Sequence, residues 1–137
     1  MYVDAYVIAV PEQRKDDYIR LATVFAEVAK DHGALEIFEN WESDVPDGVE
    51  TDYRKAVKAR PGERIVLAWV VWADRAASAA AHEGIFADPR MGAIGEMPFD
   101  GKRMILGGFE PVLVFRAEHA AGAPNGAVSK APPAVDQ

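Results

Sequence analysis

The chain has 137 residues, of which 50% are hydrophobic and 27% charged, and its 15 Lys and Arg face 22 Asp and Glu. This length and balance exclude a multidomain assembly and a disordered chain, and they favour a single folded domain. The net charge of −7 opposes binding to nucleic acid and to anionic lipid, and the lack of cysteine excludes disulfides and thiolate chemistry.

The first predicted elements are a strand and a long helix. Over residues 2–10 the side chains alternate between two faces, both largely apolar, which predicts a strand covered at least partly on both sides. After Pro11, apolar residues recur every three or four positions up to His32, and Gly33 follows where helices commonly end. We expect His32 to interact with the helix dipole rather than with a substrate.

The rest of the chain repeats the same order of elements. A second strand is predicted over residues 34–41, and residues 50–63 are expected to form a surface excursion because they lack a clean period. Residues 65–72 are β-branched and aromatic, as in a central strand, and Asp74 begins a helix that reaches about Ala87. The last predicted strand covers residues 103–115, with Gly107 and Gly108 marking a bulge or a close approach.

Two strand-helix-strand units predict an α+β fold of ferredoxin-like βαββαβ order, with a four-stranded antiparallel sheet and both helices on one face. We expect this domain to span residues 1–116. Residues 117–137 are rich in Ala, Gly and Pro and are expected to form a flexible tail.

The sheet face opposite the helices is expected to carry Tyr2, Tyr6, Ile8 and Phe38 together with a tryptophan of the third strand. Such a face is too apolar to remain in water. A second copy packed sheet against sheet would cover it, which predicts a homodimer of the α+β barrel type.

Several sequence blocks between Met1 and about Phe115 carry a family resemblance. They are Met1-Tyr2-Val3-Asp4, His32-Gly33-Ala34-Leu35-Glu36, Val45-Pro46-Asp47-Gly48, Ala56-Val57-Lys58-Ala59, Asp88-Pro89-Arg90-Met91, Met97-Pro98-Phe99-Asp100-Gly101-Lys102-Arg103-Met104-Ile105 and Gly107-Gly108-Phe109-Glu110. On these blocks the chain resembles the YbaA-like family of bacterial proteins of unknown function, domain of unknown function 1428, in the dimeric α+β barrel superfamily. The resemblance implies the fold and a homodimer and implies no particular reaction.

The cleft of this barrel is the predicted binding site for a small, partly apolar ligand. Its expected residues are Asp4, Tyr6, Glu36, Phe38, Trp69, Glu110 and Arg103. If the three carboxylates converge there, repulsion and desolvation would raise the pKa of at least one and make it a general base. The alternative is that they lie in solvent at strand ends or pair with Arg103 or with a lysine of the excursion.

No motif in the sequence specifies a reaction, so catalysis stays open, and no cofactor is predicted. The three histidines, His32, His82 and His119, lack the spacing of a helical metal site, and no metal is expected. An RNA-binding or protein-interaction module without catalysis is the alternative function, although the acidic charge makes nucleic acid a poor partner. No apolar stretch could span a bilayer and Met1 leads straight into strand-like sequence, which predicts a cytoplasmic protein without a membrane partner.

Overall fold

A computed structural model describes residues 1–118 of the chain. Its elements are strand β1 (Tyr2–Pro11), a 3₁₀ turn (Glu12–Arg14), helix α1 (Lys15–Asp31), strand β2 (Glu36–Trp41), helix α2 (Tyr53–Ala56), strand β3 (Glu63–Trp72), helix α3 (Arg75–Ala87), helix α4 (Pro89–Gly92), a second 3₁₀ turn (Gly101–Arg103) and strand β4 (Ile105–Phe109). None of the helices within these 118 residues is long and apolar enough to cross a membrane.

The four strands form one antiparallel sheet in the order β2-β3-β1-β4. Two strand-helix-strand units interleave to give this order, so the predicted ferredoxin-like α+β fold is confirmed. Both long helices pack on the same face. Tyr18 and Leu21 of α1 contact Ile8 and Val10, and Ala81 of α3 lies in a second core cluster with Trp72.

The predicted helix ends follow from local hydrogen bonds. Asp74 caps α3 by accepting a hydrogen bond from the Ala77 N–H at 2.8 Å. Gly33 follows α1 with φ of +103°, a left-handed conformation that favours glycine.

The last strand is shorter than predicted, because β4 ends at Phe109 instead of continuing to residue 115. Pro111 lacks the N–H that a continuing strand would donate, which explains why pairing does not extend beyond Phe109. The predicted flexible tail over 117–137 lies almost entirely outside the described residues.

The assignment of the two faces of β1 was wrong. The even-numbered side chains Tyr6 and Ile8 belong to the cores beneath the helices, whereas Val7 and Ala9 lie on the opposite face. Both faces of this strand are apolar, so alternation alone does not indicate which one the helices cover. Tyr2, Tyr6 and Ile8 therefore do not lie on the sheet face expected to form the dimer, while Phe38 does lie on the face away from the helices, paired with Trp69.

We call the face away from the helices the open face. At one end it is covered by the excursion between β2 and β3, where Val45, Val57 and Ala59 pack against Ala9 and Ile65. The remaining side chains of the open face are mostly apolar: Val3, Ala5, Val7, Phe38, Leu67, Trp69, Ile105 and Phe109.

Residues 110–116, which we call the C-terminal strap, connect the two edges of the sheet. The strap leaves β4 at one edge, and its Arg116 lies 3.4 Å from the carboxylate of Glu36 on β2, the other edge strand. Val112, Leu113 and Phe115 of the strap are almost fully exposed. The strap therefore adds apolar surface to that of the open face.

Candidate functional site

A cleft of about 230 Å³ lies between the helix-covered face of the sheet and the segment after α4. We call it the methionine cleft because Met91, Met97 and Met104 form one wall. Helix α1 supplies Leu21, Ala22 and Phe25, the sheet supplies Tyr6, Ile8 and Ala68, and Phe99 completes the wall. Methionine is flexible and polarizable, so this lining can adapt to apolar molecules of different shape.

The polar end of the methionine cleft is formed by Tyr18 and Glu39. The Tyr18 hydroxyl donates a hydrogen bond to Glu39 Oε1 at 2.7 Å. Partial burial beside α1 raises the pKa of Glu39, and the Tyr18 hydrogen bond opposes that rise. The residue is still partly exposed, so the carboxyl lies at the boundary between the cleft and solvent.

Tyr6 lines the same cleft from the centre of the sheet. Burial raises the pKa of its phenol, and the nearby carboxylates of Asp4 and Glu39 raise it further. Tyr6 therefore stays neutral and can donate a hydrogen bond. The cleft offers an apolar body with phenol and carboxyl groups at one side, which suits a small molecule carrying one hydrogen-bonding group.

A wider groove of about 490 Å³ runs along the outer side of α1 and the edge strand β2. It shares Tyr18, Ala22 and Glu39 with the methionine cleft, and it adds Lys15 and Trp41. The Lys15 ammonium lies 5.0 Å from the centre of the Trp41 ring, a cation–π contact. Glu39 therefore lines both the methionine cleft and this groove.

The carboxylate of Asp4 lies beneath α3 and is buried, with 7% of its side chain exposed. Its Oδ2 accepts hydrogen bonds from Trp72 Nε1 at 2.8 Å and from Ser78 Oγ at 3.0 Å, and it lies 2.7 Å from His82 Nε2. The alternative pairing of this carboxylate with Arg103 was wrong, because Asp4 points to the helices and Arg103 pairs with Glu63 at another end of the sheet.

The residues predicted to form one ligand site are distributed over three places. Asp4 and Tyr6 lie on the helix side, whereas Glu36, Phe38 and Trp69 lie on the open face. The Phe38 and Trp69 rings stack with 5.1 Å between their centroids. The proposed convergence of Asp4 with Glu36 was therefore wrong, since the sheet separates them.

Arg103 and Glu110 lie outside both groups. Arg103 forms a paired contact with Glu63 at 2.7 and 2.8 Å and a further one with Asp100 at 3.0 Å, so its charge is already neutralised. Glu110 is exposed and follows the end of β4. Neither lines the methionine cleft.

Sequence reasoning missed Tyr18, Glu39 and His82 as site residues. Tyr18 falls on the apolar stripe of α1, which predicts only a core position. Glu39 follows Phe38 on β2 and therefore lies on the helix side, but its partner Tyr18 is 21 residues away in sequence. One signal was present: Ser78 and His82 are four residues apart on α3, on the same side as the buried Ala81 and Ile85.

No set of three or more metal-ligating side chains is found among residues 1–118. The described part of the chain offers hydrogen-bonding groups at the methionine cleft and beside Asp4.

Topology and cleft together define a ferredoxin-like α+β protein with a ligand-sized cleft between sheet and helices. The profile of the family described as "Protein of unknown function (DUF1428)" matches residues 1–101, so the chain belongs to this family. This confirms the family resemblance predicted from the sequence blocks.

The chain is similar to curated relatives called "Uncharacterized protein YbaA" from Escherichia coli strain K12, Escherichia coli O157:H7 and Shigella flexneri. In each case the two sequences are 50% identical over 113 residues, which is 82% of this chain and 97% of the relative. Among solved structures, it is similar to an uncharacterized NIPSNAP domain protein from Burkholderia xenovorans, with a TM-score of 0.44 and 14% identity, covering 91% of this chain and 100% of that one.

Proposed function

We propose that the protein binds a small, partly apolar molecule in the methionine cleft and acts as a homodimer. The observation that carries the binding proposal is the Tyr18–Glu39 hydrogen bond at the polar end of an otherwise apolar cleft. This cleft lies on the helix side of the sheet, whereas the sequence predicts a barrel cleft on the face away from the helices.

The cleft favours ligands of a definite kind. The walls include methionine and aromatic side chains. Burying the hydrocarbon part of a ligand against them stabilises the complex by roughly 25 cal/mol per Å² of apolar surface removed from water. The Glu39 carboxyl and the Tyr6 and Tyr18 phenols would accept from or donate to one hydroxyl or amine of the ligand. A ligand without such a group would leave these polar atoms less well paired and bind more weakly.

1-Naphthol, which has a bicyclic apolar body and one hydroxyl, is a suitable probe, with naphthalene as the analogue lacking the hydroxyl. Titration calorimetry should give one saturable site per chain for 1-naphthol and weaker binding for naphthalene. Native mass spectrometry of freshly purified protein provides a second readout, because a tightly bound cellular ligand would add a discrete mass.

A matched pair of variants separates the cleft from the outer groove. Ala22→Leu fills the methionine cleft, whereas Ala26→Leu adds the same side chain one turn later on α1, where it lines only the groove. Ala22→Leu should weaken 1-naphthol binding by about tenfold or more, since overfilling a cleft costs 1–3 kcal/mol. Equal weakening by both variants, or no saturable binding by the wild type, would contradict the proposal.

The homodimer proposal rests on the shape of the open face. Across the centre of the sheet, the row from β4 to β2 reads Gly107, Ala5, Trp69 and Phe38. Two large stacked rings thus lie beside two positions with small side chains. The Phe109 ring lies against Gly107, so the low position between the rings of β4 and β3 is Ala5. A two-fold axis would place the Phe38 and Trp69 rings of one copy over Ala5 of the other, which is the self-complementarity that a symmetric dimer requires.

Exposed apolar side chains on and beside the strap also favour a second copy of this chain as the partner. Phe115 of the strap and Phe109 of β4 are exposed by 84% and 59%. Exposed apolar side chains that adjoin an apolar sheet face mark an interaction surface. Because that face is self-complementary in shape, a second copy of this chain is the partner that fits best.

Light scattering coupled to gel filtration tests the dimer. Trp69→Asp places a charge at the centre of the open face and should give a monomer, whereas Ile19→Asp changes an exposed apolar residue of α1 and should leave the dimer unchanged. A monomeric wild-type protein at micromolar concentration would contradict this proposal without affecting that of the methionine cleft.

A further inference from the structure

The hydrogen bonds around Asp4 determine which nitrogen of His82 is free. A carboxylate can only accept hydrogen bonds, so a neutral imidazole whose Nε2 lies 2.7 Å from Asp4 Oδ2 must carry its proton on Nε2. The other nitrogen, Nδ1, then has a free lone pair. Half of the His82 side chain, 52%, is exposed, whereas only 7% of the Asp4 side chain is.

The buried carboxylate oxygen of Asp4 has donors from two directions. Trp72 and Ser78 already donate to the buried oxygen at 2.8 and 3.0 Å, and both are themselves buried. His82 adds a third donor from the solvent side. An imidazole oriented through one nitrogen by a buried carboxylate, with the other nitrogen accessible, has the geometry of a general base.

Ser78 is not the nucleophile of a serine triad. Its hydroxyl donates to Asp4 at 3.0 Å, and its distance to His82 Nε2 is 3.5 Å. In a triad the histidine nitrogen that faces the serine must be free to accept its proton. Here that nitrogen faces Asp4, so the free Nδ1 is left to act on water or a ligand from solvent.

The neighbouring edge strand leaves room for the phenol of Tyr2, the first residue of β1. Gly108 is opposite Asp4 in β4, and a Cβ on Gly108 would overlap the phenol of Tyr2. Tyr2 therefore lies over the backbone beside Asp4, and glycine is required there by this close approach. The predicted role of Gly107-Gly108 as a close-approach point is confirmed at Gly108.

We propose that His82, positioned by Asp4, is a general base for the hydrolysis of small esters at the exposed side of α3. In this reaction Nδ1 takes a proton from a water molecule while the water oxygen bonds to the ester carbonyl carbon. The bond from that carbon to the leaving oxygen then breaks, and the imidazolium returns its proton to the leaving group. The products are a carboxylic acid and an alcohol, and no metal or redox partner is needed.

Hydrolysis of 4-nitrophenyl acetate by the full chain tests the proposal. His82→Gln should lower the protein-dependent rate by about 10²-fold, within the range that a positioned general base contributes. His32→Gln and His119→Gln are matched controls and should leave the rate unchanged. The reaction should also be slower in D₂O, because a proton moves in the rate-limiting step.

Asp4→Asn separates positioning from a purely structural role. The amide oxygen can replace Oδ2 as the acceptor for all three donors, so the melting temperature should change little while the rate falls because the negative charge is lost. ¹⁵N NMR of the wild-type protein at pH 8 should find the His82 proton on Nε2.

Two results would overturn the proposal. One is a wild-type protein without protein-dependent hydrolysis, or a wild-type rate retained by His82→Gln or by Asp4→Asn. The other is a neutral His82 protonated on Nδ1, which would leave no free nitrogen toward solvent. Neither result depends on ligand binding in the methionine cleft.

Discussion

Arg103 and Glu63 form two parallel hydrogen bonds, 2.8 Å from Nη1 to Oε1 and 2.7 Å from Nη2 to Oε2. The same guanidinium donates to the Lys58 carbonyl at 2.8 Å and to Asp100 at 3.0 Å. It therefore connects the first residue of β3, the excursion before it and the turn that leads into β4.

Removing this connection should destabilise the fold. Arg103→Ala leaves Glu63, with 9% of its side chain exposed, without its charged partner, and the free energy of unfolding should fall by about 3 kcal/mol. Arg103→Lys should recover only part of the loss because lysine cannot form the paired contact. Urea unfolding measures both. Arg20→Ala, in an exposed pair with Asp17, is the control and should stay within about 0.5 kcal/mol of the wild type.

Protonation of several paired carboxylates should destabilise the protein in acid. Hydrogen bonds from Arg103 lower the pKa of Glu63 and Asp100, and hydrogen bonds from Arg90 lower that of Asp88. A lowered folded pKa means that the unfolded chain binds protons more readily, so this stability is fully present above the ordinary values of 3.8 and 4.5.

The stability that these carboxylates contribute is lost as the pH falls through their lowered pKa values. Melting temperatures recorded from pH 6 to pH 2.5 should therefore drop steeply below about pH 4. A melting temperature that stays constant over this range would contradict the assigned ion pairs.

The element order could be predicted from the sequence because it depends on local signals. The three- and four-residue spacing in α1, the Asp74 cap and the β-branched run in β3 each act within a few residues. Their combination into two strand-helix-strand units then leaves few topologies, and the ferredoxin-like one is observed.

The candidate site could not be predicted, because it depends on which face of β1 the helices cover. Tyr6 and Ile8 alternate with Val7 and Ala9, and neither set is polar enough to decide the question. Asp4 was the decisive residue: a charge on the covered face needs partners, and Ser78 and His82 on α3 are 74 and 78 residues away in sequence. Such a long-range pairing is set by packing and not by local sequence.

Glu39 should make stability depend on pH in the opposite direction from the paired carboxylates. Burial raises its pKa, so the folded state binds the proton more tightly than the unfolded chain does. Its contribution to stability therefore declines as the pH rises from 4.5 through the raised value.

Glu39→Gln keeps an acceptor for Tyr18 and removes this titration. Relative to the wild type, the variant should gain stability between pH 4.5 and pH 7, as measured by urea unfolding. Tyr18→Phe removes the hydrogen bond that favours the charged form of Glu39. The loss of stability with rising pH should therefore be larger in this variant. A stability difference between Glu39→Gln and wild type that does not change with pH would refute the assignment.

His32 and Gly84 should show a strong energetic coupling. His32 ends α1, and its Nε2 lies 3.6 Å from Asp88 Oδ2 just after α3. The imidazole lies so close to Gly84 that a Cβ there would overlap the ring. Glycine inside α3 is thus explained by the approach of His32, because alanine would otherwise favour the helix by about 0.5–1 kcal/mol.

A double-mutant cycle measures this coupling. Gly84→Ala alone should destabilise the protein or leave it unchanged, since the ring must move and lose its contact with Asp88. In the His32→Ala background the same substitution should stabilise the protein by about 0.5–1 kcal/mol, because only the helix preference then remains. The interaction free energy from urea unfolding should be about 1 kcal/mol or more, and additive effects of the two substitutions would mean that the ring does not lie against Gly84 in solution.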